Sequence, residues 1–240
     1  MSSCFISHGG GPMPLLGRQP EVVSILQSIV SMMITRKPTA IVIITAHWIT
    51  KDITLSLVNG IDNPLYYDYS GFPKESYSLQ YPAKGSSDLA TRIQDLLVTN
   101  KIPCVTDNKR GWDHGVFIPL MVMYPNHDIP VVAMSIHSSL DPEYHIRVGK
   151  ALSPLINQDP TIETTCIVDE SADKILFIGS GASFHNFNYL FAHDAKTRKE
   201  GMIASKQWAS FLHDTLTSSN VTNDERIDKM IQWQTAPGKR

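Results

Sequence analysis

Residues 39–48 read TAIVIITAHW. All but one of the residues from Ala40 to Ala46 are apolar, Ile41, Val42, Ile43 and Ile44 are β-branched, and the run ends on His47. A continuous apolar run of this length predicts a strand buried on both faces, as in a parallel sheet covered by helices. Sheets of that type bind ligands outside the carboxyl ends of their strands, where this imidazole stands. The pattern recurs outward along the chain. Cys4–Ser7 runs into His8 and three glycines, Pro130–Ile136 runs into His137, and Ile175–Ile178 runs into GSGASFH, which ends on His185. Strand ends that repeatedly deliver histidine to one rim of a sheet predict a metal site.

The intervening segments alternate with these strands. Glu21–Thr35 carries an apolar stripe at Val22, Ile25, Leu26, Ile29, Val30 and Met33, so it predicts a helix, with Glu21 well placed at its start. Ile53–Val58 and Pro103–Thr106 read as strands, and Ser87–Val98 and Val116–Met123 as helices. Asp141-Pro142-Glu143 is a helix start, with an acid at the N-cap and proline at the first helical position. Asp159–Asp173 is polar and reads as a loop, and Glu200–Leu216 and Asp224–Trp233 close the chain as helices. The segment 59–85 holds Tyr66, Tyr67, Tyr69, Phe72, Tyr77 and Tyr81 among prolines and glycines, and a loop of this length in a compact domain usually has a function. The order predicts an α/β fold: a single domain over residues 1–240, with a central mostly parallel or mixed sheet flanked by helices and its site at the strand C-terminal ends.

Bulk composition narrows the function classes. The chain has 240 residues, 42% hydrophobic and 18% charged, which marks a globular protein able to bury a large core. A net charge of −2 without a basic tract argues against nucleic acid or an anionic membrane as partner. Three cysteines without CxxC spacing fit a reducing compartment. With no signal-peptide pattern and no apolar run of membrane-spanning length, the expected location is the cytoplasm.

Nine histidines are present, and most histidines beside an apolar run are structural or surface residues. His127, His145, His193 and His213 keep that reading. His8, His47, His114 and His185 differ, because each stands at a strand end or in a loop beside glycine or an aromatic residue. His8 and His47 are candidate neutral-imidazole ligands of a divalent metal, while His114 and His185 are candidates to ligate or to move protons.

Five segments, ISHGGGPMPLLG, ITAHW, SGFP with its following YPAKGS, GWDHGVFIPLMVMYP and GSG…HN, resemble in order and spacing the class III extradiol ring-cleavage dioxygenases, within them the 4,5-DOPA dioxygenase-like group. The resemblance implies an enzyme that opens a small catechol with O2 at a mononuclear non-haem site, with Fe(II) as the active metal and Zn(II) as an alternative occupant. It implies His8, His47 and, in the resting zinc form, His185 as metal ligands. It implies His114 as the histidine that binds substrate and steers its proton, and His185 as the acid/base beside the metal. Tyr69 and Phe72 of the aromatic loop are expected to wall the catechol pocket, and simple packing of loop aromatics is the competing reading.

In this family a third ligand lies in a segment resembling HPxxEHLLPL, shortly after a stretch resembling QWxxAPG. Here QWQTAPG occupies residues 232–238 and the sequence given ends at Arg240. The expectation is therefore a catalytic domain lacking that segment, with His137 as the candidate substitute ligand. A non-enzymatic interaction protein of the same superfold, with a vestigial metal site, is the alternative. A zinc hydrolase is disfavoured because no HExxH pair occurs.

Overall fold

The computed structural model describes residues 3–33, 37–58, 63–156 and 174–238. These contain strands β1 (Ser3–Ile6), β2 (Ala40–Thr50), β3 (Ile53–Ser56), β4 (Cys104–Asp107), β5 (Val131–His137) and β6 (Ile175–Ser180). Helices α1 (Pro20–Met33), α2 (Ser87–Thr99), α3 (His114–Met123) and α4 (Pro142–Ile156) alternate with them, followed by α5 (Phe187–Leu190), α6 (Ala195–Thr217) and α7 (Asn223–Ile231). The expected polar loop at Asp159–Asp173 lies outside the described residues.

The six strands form one mixed sheet in the order β1-β6-β2-β5-β3-β4. β1, β6, β2 and β5 run parallel, β3 meets β5 antiparallel, and β4 lies parallel to β3. The apolar run therefore occupies the interior of the parallel part, between β6 and β5. Ala40, Ile41, Val42 and Ile43 are buried in succession, as are Val131 to Ser135 of β5, so neither face of these strands is open to water. Helix α3 packs on β2 and on α1, while α2 packs on β3, β4 and β5. Ile41, Ile43, Trp112, Phe117, Ile118 and Leu120 are fully buried in the core between them.

Two departures from the sequence expectation have local causes. Helix α6 begins at Ala195 because Asp194 caps it, accepting from the Thr197 amide at 2.7 Å. Strand β2 does not stop at His47 but continues to Thr50 through a register shift against β5. It pairs Ile44 with Met134 and Ile49 with Ile136, so residues 45–48 form a bulge.

The chain divides into two compact units, one of Met1–Asp141 and Arg147–Ala182, the other of Pro142–Ile146 and Ser183–Arg240. The first holds the whole sheet. The second holds α5, α6 and α7, with Trp208 buried and stacked on Phe211 at a 5.4 Å ring separation. A reciprocal capping box between Thr222 and Glu225 starts α7. Among the described residues no helix is long and apolar enough to cross a membrane.

Candidate metal centre

The first unit brings three histidines together from three elements. His8 follows β1, His47 projects from the β2 bulge, and His114 opens α3. Each offers a ring nitrogen within 4.8 Å of the other two. The Nε2 atoms of His8 and His47 are 3.1 Å apart, and the ring centroids of His47 and His114 are separated by 4.0 Å. His8 and His114 are buried, whereas His47 is exposed.

The partners of the other ring nitrogens assign the tautomers. The Ser180 hydroxyl donates to the Gly115 carbonyl at 2.5 Å, so its oxygen accepts at 2.9 Å from Nδ1–H of His8. Pro119 is the reason that carbonyl is available. Proline has no N–H to close the helical bond back to Gly115, and a hydroxyl from β6 fills the gap. Asp68 does the equivalent for His114 and lies near His47. Its Oδ1 accepts from His114 Nδ1 at 2.7 Å and from the His114 amide at 3.0 Å, while its Oδ2 lies 3.6 Å from His47 Nδ1. With Nδ1 of His8 and of His114 donating, Nε2 of each of these two rings carries the lone pair, and the three rings together offer ligand nitrogens within 4.8 Å of one another. Lone pairs this close repel one another unless a cation or a proton lies between them, so the donor set fits a divalent metal.

Burial pushes the Asp68 carboxyl up, but hydrogen bonds from His114 and the charges of His114 and His47 outweigh it and hold Asp68 below its ordinary value. The acid is therefore ionised and acts only as an acceptor. It reaches the site because the aromatic loop pairs with the strand-like backbone at Trp112. Leu65 bridges Trp112, the Tyr66 amide donates to the Trp112 carbonyl at 2.7 Å, and Trp112 donates back to Pro64 at 2.9 Å. Two residues beyond Trp112 comes His114, opposite Asp68. Asp68→Asn is expected to weaken divalent-metal binding about 10- to 100-fold, the usual cost of losing a carboxylate that orients ligating histidines. Anaerobic titration of the variant against the parent checks this.

Tyr69 and Phe72, the expected substrate wall, sit in the same loop. The Tyr69 ring lies 5.8 Å from His114 and 5.4 Å from Phe72, and Gly11 has room for no Cβ without pressing on the Phe72 ring at 3.3 Å. The Tyr69 hydroxyl donates to Ser76 O at 2.6 Å, and burial together with Tyr67, Tyr77 and Asp68 pushes it up to about 12. It is a neutral ring there, not an acid. The packing reading is visible directly: the Tyr69 hydroxyl ties the loop to itself, and the Tyr69 ring packs beside His114.

The other expected residues are elsewhere. His137 is not part of the cluster, and its Nδ1 accepts from the Ser139 amide at 3.1 Å, which selects the opposite tautomer from His8 and His114. His185 belongs to the second unit, after β6, with its ring against Phe187 at 4.5 Å. It lines a cavity of about 480 Å³ together with Phe184, Tyr189, Arg198 and Lys206. Its neighbour Asn186 caps α5. Sequence reading missed Asp68 and Ser180, which no local motif marks as partners of histidine.

Comparison with known proteins bears on the family and the fold. The family profile described as the catalytic LigB subunit of aromatic ring-opening dioxygenase matches residues 4–237. A dioxygenase, tasH, of Hapsidospora irregularis is 38% identical over 250 residues, covering 97% of this chain and 69% of its own length. A protein named 4,5-DOPA dioxygenase extradiol from Beta vulgaris is 40% identical over 185 residues, 77% of this chain and 62% of its own. Its Escherichia coli namesake is 32% identical over 194 residues, 80% of this chain and 63% of its own. The chain thus spans about three fifths of the length of these two relatives. The crystal structure of an uncharacterized Escherichia coli K12 protein superposes with a TM-score of 0.57 over 91% of this chain and 83% of that one at 24% identity, which supports the fold. With a profile match across nearly the whole sheet and its histidines, the chain belongs to the aromatic ring-opening dioxygenase family of the catalytic LigB subunit, the class III extradiol dioxygenases, in the group that includes the 4,5-DOPA dioxygenases.

Proposed function

We propose that this chain is an extradiol ring-cleavage dioxygenase, a single catalytic domain that opens a small DOPA-like catechol with O2. The observation that carries the reading is the convergence of ring nitrogens from His8, His47 and His114 within 4.8 Å, with Nδ1 of His8 and of His114 held by Ser180 and Asp68. His8 and His47 hold the metal, Fe(II) for activity, with Zn(II) able to take the same donors. When bound, Fe(II) supplies positive charge that acidifies a catechol hydroxyl and open positions for the diol and O2.

The chain's own groups do the rest. His114 Nε2 accepts a proton from a catechol hydroxyl, and Asp68 on its Nδ1 stabilises the imidazolium that results. Tyr69, backed by Phe72, gives the aromatic ring an apolar face to pack on. His185 is assigned the second acid/base role, on the strength of the motif that carries it.

The 4.8 Å triad favours a second reading of one residue, in which His114 completes the ligand set in the absence of substrate. Anaerobic Fe(II) titration followed by O2 uptake with catechols tests both. Tight binding of one equivalent and O2 consumption with a catechol is the expected result; failure to bind stoichiometric metal would instead favour the non-enzymatic interaction protein. For His114→Ala the expected result is metal affinity within about tenfold of the parent and loss of catechol binding by about 10²-fold or more. Loss of the metal itself would make His114 a ligand.

A further inference from the structure

His47 stands in the bulge, where its backbone has left the ladder. As β2 advances from Ile44 to Ile49, β5 advances only from Met134 to Ile136. The polar backbone groups of a bulge need partners from elsewhere. The His47 amide donates to Thr45 Oγ1 at 3.2 Å, and its carbonyl accepts from the Arg110 guanidinium at 3.4 Å. Both partners lead to one group. Thr45 Oγ1 donates to Asp113 Oδ1 at 2.7 Å, and Arg110 lies 2.9 Å from Asp113 Oδ2 as an ion pair.

Asp113 is fully buried. It occupies the N-cap position of α3 yet makes no side-chain cap bond, so its carboxylate is turned to Thr45 and Arg110 instead. Arg110 is held flat over Trp48 at 4.8 Å and Tyr66 at 5.3 Å, which limits where its nitrogens point. The space is closed on the remaining side by Gly115. A Cβ there would stand 2.6 Å from Thr45 Oγ1 and 3.1 Å from the His47 ring. A buried charge that is neither a cap nor a ligand is expensive unless its partners repay it.

We propose that Asp113 is a positioning residue: it closes a clamp on the two backbone polar groups of His47, through Thr45 on the amide and Arg110 on the carbonyl. The clamp holds the bulge in the conformation that aims His47 Nε2 at His8. This rests on the reading of His47 as a metal ligand. The clamp orients the backbone of that ligand, whereas Asp68 orients its ring, so the two controls are separable.

The test uses Co(II) as probe, because its visible absorption reports ligand geometry as well as occupancy. Thr45→Val keeps the shape of the side chain and removes the hydroxyl that serves both Asp113 and the His47 amide. Its Co(II) affinity is expected to fall about 10- to 100-fold with an altered Co(II) spectrum, and Thr45→Ser is expected to restore both. Asp113→Asn is expected to show the same loss where it folds. A purely structural role would lower the melting temperature and leave affinity and spectrum of the folded protein alone. Wild-type affinity and spectrum in Thr45→Val overturn the clamp, whatever happens to stability. His47→Ala serves as reference. If it loses Co(II) while Thr45→Val does not, the clamp alone fails. If His47→Ala still binds Co(II) as the parent does, the ligand assignment fails and the clamp fails with it.

Discussion

His47→Ala is expected to abolish stoichiometric metal binding, with affinity for Fe(II) or Zn(II) reduced about 10²- to 10⁴-fold. Structural divalent sites draw on the order of 10 kcal/mol from their whole donor set, so deleting one of a few donors removes roughly 3–5 kcal/mol. Neighbouring groups are poorly placed to compensate. His137 lies outside the cluster, and Asp68 Oδ1 is already engaged by the amide and Nδ1 of His114. His47 is also the exposed member of the trio, so its replacement removes a ligand without opening a hole in the core, and the variant should remain folded. Metal content measured after anaerobic loading decides the matter. An unchanged ratio of one metal per chain would sink the assignment of His47 and, with it, the metal centre described here.

His185→Ala is expected to slow ring opening by about 10²- to 10⁴-fold, the range over which a positioned acid or base acts, while catechol affinity changes only a few-fold. The residue stands in the GSG…HN motif after β6, and its neighbour Asn186 is committed to capping α5, accepting from the amides of Asn188 and Tyr189. That cap constrains the backbone next to His185 and leaves the imidazole itself uncapped for chemistry. Single-turnover measurements separate the two effects. A loss divided equally between binding and the chemical step would show that His185 holds substrate and does not transfer a proton. Loss of metal would place it among the ligands, as the resting zinc form of the resemblance implies.

Much of the architecture was legible because it depends on local pattern. The β-branched run in β2, the apolar runs of β5 and β6, and the Asp141-Pro142-Glu143 start of α4 each carry their own periodicity or cap chemistry over a few residues. The histidines were legible for the same reason, since each follows directly on such a run or on a glycine-rich turn. The roles expected of them come from the family motifs alone.

The partners of those histidines were not legible. Asp68 reaches His114 from 46 residues away in sequence, through a backbone bridge at Leu65 and Trp112 that has no hydrophobic period to announce it. Ser180 is 172 residues from His8, and its orientation depends on a carbonyl freed by a proline in a third element. The bulge that projects His47 exists only as a mismatch between β2 and β5, so neither strand contains it alone. Short-range pattern in the chain therefore marked the histidines at strand ends as candidates, without saying which of them meet. Tertiary contact brought His8, His47 and His114 together and gave His8 and His114 their Nδ1 partners, because tautomer and aim depend on hydrogen bonds between groups that only folding brings into contact.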